Sequence, residues 1–400
     1  MKSPKGRENA LLLHKKFERA FIFMIYFDNA ATTGKKPDNV IKAVEYSLKN
    51  YSANPGRSGH MASVKTAEAV YKVREKIADF FGADGAENVV FTLNCTHSIN
   101  CVIKGILRKG DHVVVSSLEH NAVMRPLVKS GVSYTIAEVN MKDDEITLQN
   151  FKNKIKANTK LVICTGASNV FGKILPIGKI GKICKEKGVF FAVDGAQIAG
   201  VLPINMAQQN IDFLCIAPHK GLYAPMGVGA LIARKHINET IIEGGTGTNS
   251  LEMSQPEMLP ERLESGTVNV SGIMGISAGV DFVKKMGIER LYLKELELTQ
   301  KLYKGLKMLP KIILYTEYPK VWSFVPVISF NVEGLSSEKT AVLLSNNGVF
   351  VRGGLHCAPF AHRQMGTLEG GTVRISVSAF NNYGEIDALL QILKEKIIKK

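Results

Sequence analysis

The sequence lacks any long apolar run, and no stretch approaches the roughly eighteen residues that a membrane-spanning helix needs. A membrane protein is therefore not expected. The sequence also lacks an internal repeat and a low-complexity tract, which excludes a repeat array. At 400 residues, the chain predicts a globular protein of two domains.

The six cysteines include no Cys-x-x-Cys pair. Their spacing predicts neither a zinc site nor a disulfide framework, and no metal site is expected. Free cysteines are typical of a reducing compartment, so a cytoplasmic location is expected. The cysteines are Cys95, Cys101, Cys164, Cys184, Cys215 and Cys357.

A formal net charge of +15 raises the question of nucleic-acid binding. Residues 1–24 and 394–400 together carry +7 of it, the remaining lysines are scattered over helical faces, and no nucleic-acid motif accompanies them. Nucleic-acid binding is thus the weakest alternative, and a basic surface that attracts an acidic protein fits better. Residues 1–24 lack the features of a secretory signal and are predicted to be a disordered extension.

From about residue 38, helical and strand patterns alternate. Apolar periodicity predicts a helix over 64–81, with Gly82 as its stop. Near-continuous apolar strands separated by helices predict an α/β fold with a mostly parallel sheet, in a large domain over residues 25–285. The pattern changes near residue 286 to a smaller α+β domain over 286–400. The five predicted strands of the large domain are 88–92, 112–116, 161–165, 189–193 and 213–217.

Several polar residues directly follow these strands. In parallel sheets, ligands bind beyond the carboxyl ends of the strands, so these residues are predicted to share one site. They are Thr96, Glu119, His120, Asn169, Asp194 and Lys220.

Asp194 and Lys220 suggest pyridoxal phosphate (PLP) chemistry. An acid at the end of an apolar strand can keep a cofactor ring nitrogen protonated, although capping the next helix is the alternative. A lysine held between a buried strand and a Gly/Pro-rich turn has a lowered pKa and forms a Schiff base readily, whereas an ordinary lysine lies on the surface. Gln197 is positioned to donate a hydrogen bond to the cofactor's phenolic oxygen.

Other residues fit the same cofactor. Thr96 and His97 open a helix after a strand, where an anion such as phosphate is favoured, with a plain N-cap as the alternative. His120 fits contact with the cofactor ring, although a structural histidine is the commoner outcome.

Cys357 lies on a glycine-bearing loop beside Arg352 and His356, where basic neighbours lower a thiol pKa. A buried structural cysteine is the alternative. Arg374 is suited to hold a substrate carboxylate, or else forms a surface ion pair.

These residues, with segments 26–33, 54–60, 167–172, 261–269 and 351–359, resemble the class V aminotransferase superfamily. Within it, the chain resembles the cysteine desulfurase and selenocysteine lyase group, and the short loop before Cys357 resembles the Suf-type (group II) enzymes. The resemblance implies the fold-type-I architecture of PLP enzymes, with a seven-stranded sheet in the large domain. It also implies a homodimer whose residues 25–37 form an arm to the active site and the small domain.

The resemblance implies a role for each matching residue. Lys220, Cys357 and His120 are the expected catalytic residues. Asp194 would pair with the ring nitrogen, and Thr267 would reach the phosphate of the neighbouring subunit. The expected cofactor-binding residues are Thr96, His97, His120, Asn169, Asp194, Gln197, His219, Lys220 and Thr267, and the expected substrate-binding residues are Ala30, Asn169, Arg352 and Arg374.

The implied activity is a cysteine desulfurase that converts L-cysteine to L-alanine and transfers sulfur to Cys357 as a persulfide. The expected acceptor is a sulfur carrier of the SufE or SufU kind, as in iron–sulfur cluster assembly. Selenocysteine lyase, cysteine sulfinate desulfinase and class V aminotransferase are the alternatives on the same scaffold. A non-catalytic sulfur-trafficking subunit is less favoured. Many relatives have Ser or Thr where this chain has Ala217, and a histidine where it has Leu355.

Overall fold

A computed structural model describes residues 24–56, 58–248 and 250–398 of the chain. The predicted disordered extension therefore lies outside the described residues, except for Met24. The strands are β1 (Ile25–Tyr26), β2 (Val89–Thr92), β3 (His112–Ser116), β4 (Ser133–Ala137), β5 (Thr159–Thr165), β6 (Phe190–Asp194), β7 (Phe213–Ile216), β8 (Gly229–Ala233), β9 (Ile312–Leu314), β10 (Val327–Val332), β11 (Val349–Phe350) and β12 (Val373–Ser376). The α-helices are α1 (Asp38–Asn50), α2 (Met61–Phe81), α3 (Cys95–Ile106), α4 (Asn121–Ser130), α5 (Asp144–Lys154), α6 (Ile177–Lys187), α7 (Val270–Met286), α8 (Ile288–Lys307), α9 (Ser337–Ser345), α10 (Pro359–Gln364) and α11 (Tyr383–Ile392).

Seven strands form the central sheet, in the order β2-β8-β7-β6-β5-β3-β4. Only β8 runs against its neighbours, pairing antiparallel with both β2 and β7. The predicted α/β fold with a mostly parallel seven-stranded sheet is confirmed. The inner strands are buried along their whole length, which is why their sequences are continuously apolar.

The sheet contains two strands that the sequence did not predict. Strand β4 lies at one edge and is partly exposed, so its mixed sequence lacks the continuous apolar signal. Strand β8 is short, begins with a glycine and follows a predicted Gly/Pro-rich turn. Helix α2 begins three residues before the predicted position, because the His60 ring accepts a hydrogen bond from the Ser63 amide (3.2 Å) and caps the helix.

The C-terminal part contains a three-stranded antiparallel sheet in the order β12-β10-β9. Strand β1, near the start of the described residues, pairs in parallel with β11, so the N-terminal arm packs on the C-terminal part. The domain boundary near residue 286 stays a prediction, and it falls between α7 and α8. In the part of the chain that the structure describes, no helix is long and apolar enough to cross a membrane.

Helix α7 packs closely on the turn that follows Lys220. A Cβ at Gly279 would lie 1.8 Å from the carbonyl oxygen of Leu222. We therefore expect Gly279→Ala to lower the free energy of unfolding by about 2–3 kcal/mol, since backbone cannot move aside cheaply. Gly178→Ala in α6 is the matched control, because its Cβ would meet nothing nearer than 3.5 Å. Urea denaturation of both variants measures the difference, and equal stabilities would contradict the packing.

Candidate active site

A cavity lies at the carboxyl ends of the central strands, where the sequence predicted a site. The structure brings seven of the predicted site residues to its wall. These are Thr96, His120, Asn169, Asp194, Gln197, His219 and Lys220. Ala30 lies next to them, lining an adjoining pocket with Gln197 and Lys220.

Asp194 is the last residue of β6 and is buried. Its Oδ1 accepts hydrogen bonds from the amide of Ala196 (3.0 Å) and the thiol of Cys95 (3.5 Å). Within the described residues, both hydrogen bonds that this carboxyl accepts end on Oδ1, which leaves Oδ2 for a cationic partner. The alternative role of Asp194, capping a following helix, does not occur, because a short turn follows the strand.

Lys220 follows β7 and faces the same cavity. Burial lowers the pKa of its ammonium, and the charges of Arg374 and Arg352 act in the same direction. The charge of Asp194 opposes this shift in pKa without reversing it. The lysine main chain is fixed as well, since its carbonyl accepts a hydrogen bond from the Thr33 hydroxyl (2.6 Å). Lys220 is thus not the surface lysine of the alternative interpretation.

The N-terminus of α3 lines the cavity beside these two residues. Asn94 is the N-cap, and its side chain accepts a hydrogen bond from the amide of His97 (2.9 Å). The capping alternative for Thr96 is therefore wrong, and this residue, on the cavity wall, is free for another role. His97 lies in the same turn, and its ring accepts from the Leu93 amide (3.3 Å) rather than lining the cavity.

Two histidines on the cavity wall are held by short hydrogen bonds. His120 caps α4 through Nδ1, which accepts from the Ala122 amide (3.0 Å). His219 Nδ1 lies 3.0 Å from the Thr32 hydroxyl. Burial lowers the pKa of His120, and it lowers the pKa of His219 to about 4, so both rings are neutral at physiological pH.

The Cys357 loop reaches this site through two backbone contacts. The Cys357 carbonyl accepts a hydrogen bond from the Asn121 amide (2.7 Å), one residue beyond His120. The Asn169 side chain donates to the His356 carbonyl (2.8 Å). His356 and Cys357 both have positive φ, at 50° and 58°. These contacts hold a strained loop, and they leave the Cys357 side chain exposed, unlike the buried cysteine of the alternative interpretation.

Arg374 is fully buried on β12. Its guanidinium donates to the Asp28 carboxylate (2.6 Å) and to the Asn169 carbonyl (3.0 Å). The ion pair joins a buried guanidinium to a half-buried carboxylate of the N-terminal arm, instead of lying on the surface. Arg352 pairs with Arg374 through the backbone, with a hydrogen bond of 2.8 Å from the Arg374 amide.

Gln197 and Thr267 make contacts that the sequence did not predict. The Gln197 amide donates to the Ala30 carbonyl (3.1 Å), so it ties the arm to the site. Thr267 is exposed and lines a separate cavity, where its hydroxyl accepts from the Asn54 side chain (3.2 Å). The structure of one chain does not bring Thr267 to the other predicted residues.

Sequence reasoning missed several residues that build this site. Asn94, Cys95 and Thr165 line the cavity, and Asp28 pairs with Arg374. Asn94 carried a usable signal, because Asn directly before a helix is a common N-cap. Cys95 carried none, since buried cysteines are ordinary core residues.

Known proteins resemble this chain over nearly its whole length. A family model described as aminotransferase class-V matches residues 25–389. A probable cysteine desulfurase of Pyrococcus abyssi is 32% identical, with 94% of each chain covered. One of Synechocystis is 31% identical over 94% of this chain and 91% of its own.

Solved structures agree with these sequence matches. The apo structure of a cysteine desulfurase from Thermococcus onnurineus has a TM-score of 0.86 and 32% identity, covering 94% of this chain and 95% of that one. The cysteine desulfurase CsdA of Escherichia coli has a TM-score of 0.81 and 25% identity, covering 94% of both chains. Fold, site position and sequence matches all lead to one family, and the chain belongs to the class-V aminotransferases.

Proposed function

We propose that the chain is a PLP-dependent cysteine desulfurase, which takes sulfur from L-cysteine, releases L-alanine and carries the sulfur on Cys357. One observation carries the proposal. A half-buried lysine with a lowered pKa shares a cavity with a buried carboxylate, and the loop of an exposed cysteine is hydrogen-bonded to the edge of that cavity.

The residues of the cavity fit PLP. The carboxylate of Asp194 has an oxygen left for a cationic ring nitrogen. The amine of Lys220, with its lowered pKa, suits an aldehyde. The N-terminus of α3, with Thr96, suits a phosphate, because the first amides of a helix have no partner within it. An aromatic cofactor with these three groups matches the chemistry of the donor set.

When bound, PLP supplies an electron sink for the carbanion at the substrate Cα. Asp194 would hold the ring nitrogen, His120 would contact the ring, and Gln197 its phenolic oxygen. His97, His219 and Thr96 would hold the phosphate, with Thr267 contributed to the neighbouring subunit. Lys220 would hold the cofactor and, as a neutral amine, take the proton from the substrate Cα.

The sulfur transfer itself uses Cys357. Its thiolate attacks the substrate sulfur, the Cβ–S bond breaks, and a new S–S bond leaves a persulfide on Cys357. The electron pair of the broken bond stays on the substrate Cβ, which gains a proton and becomes the methyl group of alanine. The exposed side chain lets an acceptor take the sulfur, and an external thiol releases it as sulfide.

Substrate binding falls to the residues around Arg374. The guanidinium is already bound to Asp28 and to the Asn169 carbonyl, and its Nε is buried without a partner in the described residues. We propose that the guanidinium of Arg374 also binds the substrate carboxylate, with Arg352, Asn169 and Ala30 beside it.

We also propose a homodimer. Large apolar side chains are exposed on α2 and on the segment that contains Met253. Thr267 shares a cavity with Tyr71 of α2 and does not line the cavity of Lys220. A second copy of the chain would cover this surface, and Thr267 would then contact the cofactor phosphate in that copy. The exposed apolar residues are Met61, Val64, Tyr71, Leu251, Met253 and Met258.

A class V aminotransferase is the second candidate, because the same lysine and carboxylate serve transamination. The exposed Cys357 favours desulfuration, since transamination gives it no role. Selenocysteine and cysteine sulfinate remain as alternative substrates, and they depend less on a thiol nucleophile.

The test is to incubate the purified PLP-loaded protein with L-cysteine and dithiothreitol, and to measure alanine and sulfide together. We expect equal amounts of the two products. Conversion of the cofactor to its amine form, with a keto acid required for turnover and no sulfide, would establish the transaminase instead. No change in cysteine at all would contradict both activities.

A further inference from the structure

Glu119 is a fully buried carboxyl group that the proposed mechanism does not use. It lies three residues beyond Ser116, the last residue of β3, and directly precedes His120. Its Oε1 accepts hydrogen bonds from the amide of Thr165 (2.9 Å) and from the Ser116 hydroxyl. Its Oε2 is buried and has no partner among the described residues.

A carboxylate in this position would leave a charged oxygen without a donor. The neutral acid lowers that cost, because an unpaired neutral group is cheaper to bury than an unpaired charge. Burial accordingly raises the pKa of Glu119 to about 8. The titratable groups that face it are Asp194 on β6 and Cys164 on β5. A negative charge on Asp194 adds to the raised pKa, because two carboxylates close together resist ionising together.

The contacts of Glu119 extend to both sides of the cavity. Thr165 pairs with Asp194 in the sheet, and the Asp194 carbonyl accepts from the Gly166 amide (2.9 Å). On the other side, His120 follows Glu119 directly in the chain and lines the cavity. Glu119 thus joins the strand end that leads to His120 with the strand end beside Asp194.

We infer that Glu119 is a positioning residue that acts as a neutral acid: it holds His120 and Asp194 in place, and its ionisation weakens cofactor binding. The inference rests on the proposed function. Below pH 8 the acid is neutral, and Asp194 carries the negative charge that attracts the ring nitrogen. Above pH 8 Glu119 carries a second negative charge beside Asp194, and its Oε2 has no donor among the described residues. This favours movement of the carboxylate away from its place between the two strand ends.

The test compares Glu119→Gln with wild type, because the amide mimics the neutral acid and does not titrate. The PLP dissociation constant is measured for each apoprotein at pH 7 and pH 9.5. At pH 7 the two should bind alike. At pH 9.5 wild type should bind about tenfold more weakly than the variant, the effect of one unfavourable charge interaction of about 1.4 kcal/mol.

The dissociation constant of wild type is divided by that of Glu119→Gln at each pH. This ratio cancels the titration of PLP and of Lys220, which both proteins share. A ratio that is the same at both pH values would overturn the inference. Asp212→Asn is the matched control. That carboxyl also accepts a hydrogen bond from a backbone amide (Phe191, 2.9 Å) and has a raised pKa. It directly precedes β7, however, and so lies at the amino ends of the strands, away from the cavity. The ratio of the wild-type dissociation constant to that of Asp212→Asn should be the same at both pH values.

Stability without cofactor gives a second readout. The folded chain keeps the Glu119 proton up to about pH 8, whereas the unfolded chain loses it near pH 4.5. The free energy of unfolding therefore falls between these values as the pH rises, and Glu119→Gln should remove that part of the fall. A wild-type protein that binds no PLP would contradict the proposed function, and this readout would still test Glu119.

If Glu119→Gln does not fold, Ser116→Ala tests the same inference. The Ser116 hydroxyl lowers the pKa of Glu119 through its hydrogen bond, so its removal should move the alkaline transition to higher pH. A transition that stays in place or moves to lower pH would overturn the inference.

Discussion

Lys220→Ala should lower alanine production by at least about 10⁴-fold, because the substitution removes both the amine that holds the cofactor and the base at the substrate Cα. Burial lowers the pKa of this lysine, which favours the neutral amine that both roles require. No other lysine lines the cavity among the described residues. Product analysis by amino-acid chromatography measures the loss.

Chemical rescue makes this prediction sharper. A small primary amine such as methylamine, added to Lys220→Ala, should restore part of the turnover in proportion to the concentration of its neutral form. Lys182→Ala, at an exposed position on α6, is the control and should keep wild-type turnover. Full activity of Lys220→Ala without added amine would refute the assigned role.

The sequence predicted the fold well where one physical signal dominated. Inner strands such as β3 and β6 are buried on both faces, so their apolar runs could be recognised without a structure. The edge strand β4 was missed because solvent on one side permits polar residues. Helix ends were displaced where capping depended on a side chain such as His60.

The site was predicted from a rule of topology rather than from contacts. Residues that follow parallel strands meet at one edge of the sheet, which is why Asp194 and Lys220 line one cavity. The contacts between distant segments could not be predicted. Asp28 pairs with Arg374 across 346 residues of sequence, and no local pattern indicates this. Thr267 lines a different cavity of its own chain, and no local pattern in the sequence indicates that separation.

Cys357→Ala should abolish sulfide release from L-cysteine, with a loss of at least about 10²-fold, while the bound cofactor keeps its absorbance. The thiol is exposed and lies on a loop held by Asn121 and Asn169, whereas the other five cysteines are buried. Iodoacetamide should therefore label Cys357 alone in the folded protein, and labelling should stop turnover to the same extent as the substitution.

Cys184→Ala is the matched control, because that cysteine is buried on α6 and burial raises its pKa beyond reactivity. It should keep sulfide release, and so should the unlabelled wild type. Selenocysteine separates the remaining substrates, because its weaker carbon–selenium bond needs no thiol nucleophile. If Cys357→Ala releases selenide but no sulfide, the persulfide route through Cys357 holds for cysteine. If it releases sulfide at the wild-type rate, sulfur leaves without Cys357, and the exposed loop has another purpose.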